Sequence, residues 1–446
     1  MTVMKGFMGR SGSGLGLRSR RGSTAVFLCL ILSTLVMISF AMIWSAREHG
    51  INSRVDALME LGGGSLMSEF NREILTGYGL FMVRCDPSDA GGKLRYYLGS
   101  GLESSARISI SGTKADGSRY ALVDPEPVRL QIMDHMKSGG ADMIAGREKS
   151  PGGSSGYHNL YHGPTIVSLP SRQLPDRDLR DIIGRVDRLK NVGHVFTEGS
   201  DRFLLSSYVL GTFNSCTGIA DDSHFFHNEV EYILCGKLTD EENEKAMIQT
   251  LKTLRFPSNL AHIYADAAKT AQLAAAAEAI APGPAGLAIK AALGAAWAWA
   301  ESSNDAYLLL DGQKVPLIKD TATWALDLET VISSLVTGAL DPEKYGEESI
   351  SGDDPGSTFG DEPEKLLKKD RFLVRPSENR GLTYEQYLRI LLFIKDDSLT
   401  VMRILDLIQI NMRKDYDGTF LICEQSLGIS YEARVNGRTF SYDKTY

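Results

Sequence analysis

The chain has 446 residues, 43% of them hydrophobic and 23% charged, a globular balance that excludes a wholly disordered or fibrous chain. At about 100–200 residues per domain, this length accommodates roughly two to four structural units. A mean hydropathy of −0.13 excludes a chain threaded many times through a membrane but leaves room for one span. The net charge of −8 lacks the basic footprint of a nucleic-acid binder, so no nucleic-acid partner is expected.

That charge is unevenly placed. Lys5, Arg10, Arg18, Arg20 and Arg21 stand in the first 23 residues with no acid, leaving −13 on the remainder. Residues 1–22 therefore read as a basic N-terminus held in the cytoplasm. Residues 23–46, STAVFLCLILSTLVMISFAMIWSA, contain no charge at all. About 20 apolar residues in a helix cross the hydrocarbon core and satisfy their own backbone there, so this run predicts a transmembrane helix. The positive-inside rule orients it, with the larger C-terminal part extracellular and Trp44 at the outer interface. The predicted location is the cell membrane, single-pass, with the lipid bilayer as partner of the N-terminal helix. A cleaved signal peptide competes, because Ser39-Phe40-Ala41 offers a small-x-small triplet; apolar character running on through Met42, Ile43 and Trp44 weighs against it.

Residues 47–80 read as a stalk. Ile51, Val55, Leu58 and Met59 recur at amphipathic helical spacing, and Gly62-Gly63-Gly64 predicts a break before a helical pattern resumes at Leu66. Residues 81–200 read as an α+β segment. Arg107–Ser111 and Tyr120–Val123 flank a turn at Lys114–Ser118, which predicts a hairpin, followed by a helix from Glu126 to Met136 and a Gly/Ser loop from Gly139 to Gly156.

Residues 201–340 read as helical. Thr239 and Glu242 form a capping-box pattern before Met247, Leu251 and Leu254. The Ala-rich stretch from Ala267 to Ala300 is divided by Pro282-Gly283-Pro284 into arms too short to cross a bilayer, which predicts a tightly packed helical hairpin. Residues 341–381 begin with a run of acids among Gly, Ser and Pro and read as an acidic flexible loop without EF-hand spacing. Residues 382–446 hold two helices, the first opened by Thr383 and Gln386, the second running from Leu399 to Met412. Strands follow at Thr419–Gln425, Gly428–Val435 and Arg438–Tyr442, with Asn436-Gly437 as a hairpin turn. The fold class expected is α+β: an N-terminal transmembrane helix continuing into an amphipathic stalk, then a mostly helical ectodomain with short antiparallel β-hairpins.

Catalytic patterns are weak. Gly152-Gly153-Ser154-Ser155-Gly156 has the letters of a nucleophile elbow but follows no strand. His158 and His162, or His224 and His227, have zinc-ligand spacing on a helix but lack an HExxH glutamate. Gly9 to Gly16 lacks the Lys-Ser/Thr of a phosphate loop. Among Cys29, Cys85, Cys216, Cys235 and Cys423 there is no CxxC pair, and Cys216 with Cys235 are the nearest in sequence. No catalytic, cofactor-binding or metal-ligating set is expected, and no enzymatic activity.

Several segments share their order with one family. They are Arg21-Gly22-Ser23 leading into the apolar run, NREILTGYGLF from Asn71 to Phe81, EVEYILCGK from Glu229 to Lys237 and LRFPSNLAHIYAD from Leu254 to Asp266. KVPLIKDTATWALDLE from Lys314 to Glu329 and the late helices from Leu382 to Arg413 complete the set. On these the chain resembles an uncharacterised family of bacterial membrane proteins, encoded beside tight-adherence (Tad/Flp) pilus genes in Gram-positive species. The resemblance implies a membrane-anchored pseudopilin-like or accessory subunit of a pilus or secretion apparatus, with envelope or pilus-assembly proteins as partners. Gly22 fits the residue before a prepilin cleavage site, but the fifth residue after it is Phe27 instead of glutamate, which implies an uncleaved anchor. An exported hydrolase and a ligand-binding ectodomain stand as alternatives.

Overall fold

The computed structural model describes residues 21–102, 108–122, 124–140, 169–175, 200–218, 224–337 and 373–446. In chain order these form α1 (Arg21–Met67), α2 (Arg72–Tyr78), β1 (Val83–Arg84), α3 (Pro87–Leu102), β2 (Ile110–Asp116) and α4 (Pro125–His135). Then come α5 (Ser200–Thr212), α6 (Glu229–Cys235), α7 (Asp240–Ala265), α8 (Ala267–Ile280), α9 (Ala285–Leu310) and α10 (Leu328–Thr337). The chain ends with α11 (Tyr384–Ile394), α12 (Asp397–Asp415), β3 (Gln425–Ser426), β4 (Gly428–Val435) and β5 (Arg438–Thr445). The architecture is α+β, mostly helical with few short strands. It divides into two compact units, one of the described residues up to Leu66 with those of Gly91–Lys114 and Tyr431–Tyr442, the other of Met67–Ala90, Ala115–Ser430 and Asp443–Tyr446.

In the first unit α1 dominates. Its 47 residues extend about 70 Å as a continuous helix. The predicted break at Gly62-Gly63-Gly64 does not occur: the helix runs through to Met67. Gly62 and Gly63 serve close approach instead. A Cβ on Gly63 would overlap the Tyr431 ring and hydroxyl, and one on Gly62 would sit 3.1 Å from Leu94. Val55 and Met59 are buried on the same side, along with Leu94 and Leu98 of α3. Two predicted stalk positions, Val55 and Met59, therefore lie where the amphipathic spacing put them.

The sheet has order β2-β4-β5. Asn436 and Gly437 join β4 to β5 with φ of 50° and 82°, the left-handed geometry that an Asn-Gly turn tolerates. The hairpin expected within residues 107–123 is not formed. Lys114 to Asp116 lie in β2 itself, whose partner is β4, some three hundred residues later: Ser111 Oγ donates to the Arg434 carbonyl at 3.1 Å. Ser118–Tyr120 is a short 3-10 turn, and Ala121 makes an isolated bridge to Ser426. The stretch expected as a strand at 419–425 is irregular apart from a 3-10 turn at Ile422–Glu424, with β3 antiparallel to β1 starting only at its end.

In the second unit α12 is the central helix. Every residue from Leu399 to Met412 is buried, so the predicted apolar stripe is one side of a helix enclosed all round. Around it α11 starts with a reciprocal capping box between Thr383 and Gln386, and Thr239 caps α7 by accepting from the Glu242 amide. The Ala-rich hairpin is present as α8 and α9, turned at Pro282-Gly283-Pro284. Gly294 allows the close approach: a Cβ there would press on Tyr264 of α7 and meet Leu273 of α8. The loops at 141–156 and 341–372, with Ser154, His158 and His162, lie outside the described residues.

Candidate functional site

Two features stand apart from ordinary packing. One is the apolar half of α1, where side chains from Val26 to Trp44 are exposed, among them Met37 at 72% and Trp44 at 71%. A segment with mean hydropathy 2.7 and none of its surface buried requires an apolar medium or apolar partners. By length and composition this helix can cross a membrane, the property an anchor and a signal sequence share.

The other feature is a set of charges buried in the second unit. Helix α9 puts Glu301 and Asp305 four residues apart on one face, both fully enclosed. Lys319, from the loop after α9, pairs with both, reaching Asp305 at 2.6 Å. Arg255 of α7 donates to Asp305 at 3.1 Å and to the Leu317 carbonyl at 2.7 Å. Asn259, one turn along α7, donates to Asp305 and to Ser302, each at 3.0 Å. Glu301 also accepts the backbone amides of Ala325 and Leu326 at 2.9 and 2.8 Å. Burial pushes the Glu301 carboxyl up, against the pull of Lys319. Two cations and two carboxylates make the quartet neutral, and Trp324 covers it, with the Lys319 ammonium 5.4 Å and the Lys269 ammonium 4.9 Å from its ring centre. The arrangement fastens the loop 314–327 onto α7 and α9.

A second cluster surrounds α6. Glu229 accepts from the Asn214 amide at 3.0 Å and the Asn411 side chain at 2.7 Å, and meets His224 Nδ1 at 2.5 Å. Glu231 accepts the Tyr384 hydroxyl at 2.8 Å and the Cys216 amide at 3.3 Å. Burial raises its pKa to about 7. Burial, with Glu231 beside it, pushes the Cys216 thiol well up, which keeps it a thiol and a poor nucleophile. Asp406 of α12 accepts from Tyr232 at 2.9 Å and the Ser171 amide at 3.0 Å.

Of the residues singled out by spacing, His224 and His227 do not share a helical face, since both precede α6 in irregular backbone. His224 is committed to Glu229, while the His227 amide donates to Asp240. Among the described residues no group of three or more His, Cys, Asp or Glu is placed to hold a metal ion. Cys29, Cys85, Cys216, Cys235 and Cys423 form no disulfide with one another. A cleft of about 240 Å³ opens between Glu69, Arg84, Asp417 and Glu424, and Arg84 is answered there by Glu424 at 2.9 Å. None of the buried carboxylates lines it.

The pattern of a family of unknown function, DUF5702, matches residues 169–437, more than half of the chain. The chain belongs to this family. No curated protein and no solved structure matches it. The matched DUF5702 region contains both charge clusters, and membership bears out the likeness to an uncharacterised family. Four of the segments that carried that likeness contribute to the clusters, with Glu229 and Glu231 from Glu229–Lys237, Arg255 and Asn259 from Leu254–Asp266, Lys319 and Trp324 from Lys314–Glu329, and Asp406 and Asn411 from Leu382–Arg413.

Reading for exposed catalytic sets missed these residues. A signal existed: Arg255 and Asn259 on α7, and Glu301 and Asp305 on α9, recur at i, i+4 on the side of each helix that packs.

Proposed function

We propose that this protein is a single-pass, membrane-anchored structural or assembly component of the cell envelope, serving a Tad-type pilus or secretion apparatus. In this reading the basic N-terminus stays in the cytoplasm and the folded units stand outside. It works by holding and positioning envelope or pilus-assembly proteins, without catalysis of its own. The observation that carries the reading is the exposed, charge-free half of α1, continuous with a helical half packed into a folded unit. A rod buried at one end and greasy at the other fits a body tethered at a fixed distance from a bilayer. The five cations ahead of it favour this orientation, and buried charge clusters that pair with one another inside the fold suit a scaffold.

The test is made in intact cells. Protease added from outside should digest the folded units while the chain stays with membranes after an alkaline wash, and mild crosslinking should recover pilus-assembly proteins. Protection from the protease in intact cells, with digestion after lysis, would overturn the orientation. Release by the wash would overturn the anchor, and repeated recovery of the chain alone would overturn the assembly role.

A further inference from the structure

In the first unit the end of the β4–β5 hairpin is held where α1 ceases to be free of charge. Arg438 pairs with Glu48 of α1 at 3.0 Å, and the Tyr442 hydroxyl donates to Asp56. The four-residue step along the strand covers about 13 Å. The eight-residue step along the helix covers about 12 Å. The two match, so this part of β5 lies along α1 with its turn toward the apolar end. Tyr431, stacked on Tyr442 at 5.9 Å and seated over Gly63, continues the alignment in the opposite direction.

One further strand residue brings Gly437 and Asn436 level with Ala46 and Arg47. The hydrocarbon core is about 30 Å thick and the headgroups extend the bilayer to about 40–45 Å, so a segment at this level lies among headgroups. Arg47, Arg434 and Arg438 are all exposed there, in excess over Glu48. The tip is also fixed: the Asn436 amide donates to the Ser109 carbonyl at 3.0 Å, and its side chain accepts the Ser109 amide at 2.9 Å.

We propose that this tip, with Arg434 and Arg438 on the hairpin and Arg47 on the helix, docks onto anionic phospholipid headgroups of the leaflet from which α1 emerges. The inference rests on α1 being a membrane anchor, and it adds a lipid contact made by the folded unit itself. Guanidinium groups pair with phosphate oxygens through two parallel hydrogen bonds, and the attraction decays within a Debye length, so only side chains held at the surface take part.

The experiment is amide hydrogen exchange on the full chain in lipid nanodiscs of pure phosphatidylcholine, or with half replaced by phosphatidylglycerol. Exchange across residues 434–439 should slow by about tenfold in the anionic discs. The R434Q/R438Q variant should lose that difference, and R434Q, which keeps the Glu48 pair, should lose part of it. Equal exchange in both discs would overturn the proposal. So would protection produced in phosphatidylcholine discs by soluble polyphosphate but not by anionic lipid. Failure of the chain to enter either disc would instead count against the anchor, which separates the two readings.

Discussion

Glu231 shows how a single buried carboxyl ties stability to pH. Its folded pKa is about 7, against an ordinary value of 4.5, because burial disfavours the charged form more than Tyr384 and the Cys216 amide favour it. A raised acid pKa means that the folded chain holds a proton which the unfolded chain releases. Its contribution is therefore full below pH 4.5 and is lost as pH rises through 7, a swing of about 3 kcal/mol. Glu231→Gln is neutral at every pH and should escape that loss. Urea unfolding midpoints should fall more steeply from pH 4.5 to 8 in the natural protein than in the variant; parallel profiles would show that Glu231 is ionised when folded. At this scale the sequence was legible for caps and apolar faces, since Thr239, Thr383 and Met247 each follow from local spacing. The partners of Glu231 were not, because Cys216 reaches it across irregular backbone and Tyr384 from a distant part of the chain, and burial follows from tertiary packing alone.

Elements were legible where their reason is local and illegible where it is not. The split of the Ala-rich stretch follows from Pro282-Gly283-Pro284, and the last hairpin from Asn436-Gly437. The β2 strand was misread as half of a hairpin because its partner, β4, lies at the far end of the chain. Gly62-Gly63-Gly64 in α1 was read as a break because glycine lowers helix propensity by about 1 kcal/mol, a cost that close packing at Gly62 and Gly63 outweighs here. That explanation predicts opposite signs at two positions of one helix. Gly50 has nothing within 4 Å of an added Cβ, so Gly50→Ala should stabilise by up to about 1 kcal/mol through propensity. Gly63→Ala would drive a methyl into Tyr431 and should destabilise by about 1–3 kcal/mol despite the same propensity gain. Thermal unfolding of the two variants under one set of conditions checks this. A stabilising Gly63→Ala would mean that Tyr431 does not sit over the helix.

For the whole molecule the decisive asymmetry is where apolar surface meets its surroundings. Of the 25 large hydrophobic side chains exposed among the described residues, 14 fall between Val26 and Trp44. The others are scattered, and single exposed apolar residues are normal on a soluble surface. The need for lipid or detergent should therefore reside in the first 46 residues. A chain of residues 47–446 keeps Glu48, Asp56, Met59 and Gly63 to pack against α3 and the β4–β5 hairpin. It should run as one symmetric species in detergent-free size-exclusion chromatography, with the helical circular-dichroism signal of its folded units. The full chain should aggregate under those conditions. The Ala-rich hairpin offers the sharpest challenge, because Ile280 and Leu287 flank its turn at 55% and 76% exposure. If the shortened chain still aggregates and Leu287→Glu cures it, a second apolar surface lies at that turn, and α1 is not the sole site at which this protein meets an apolar phase.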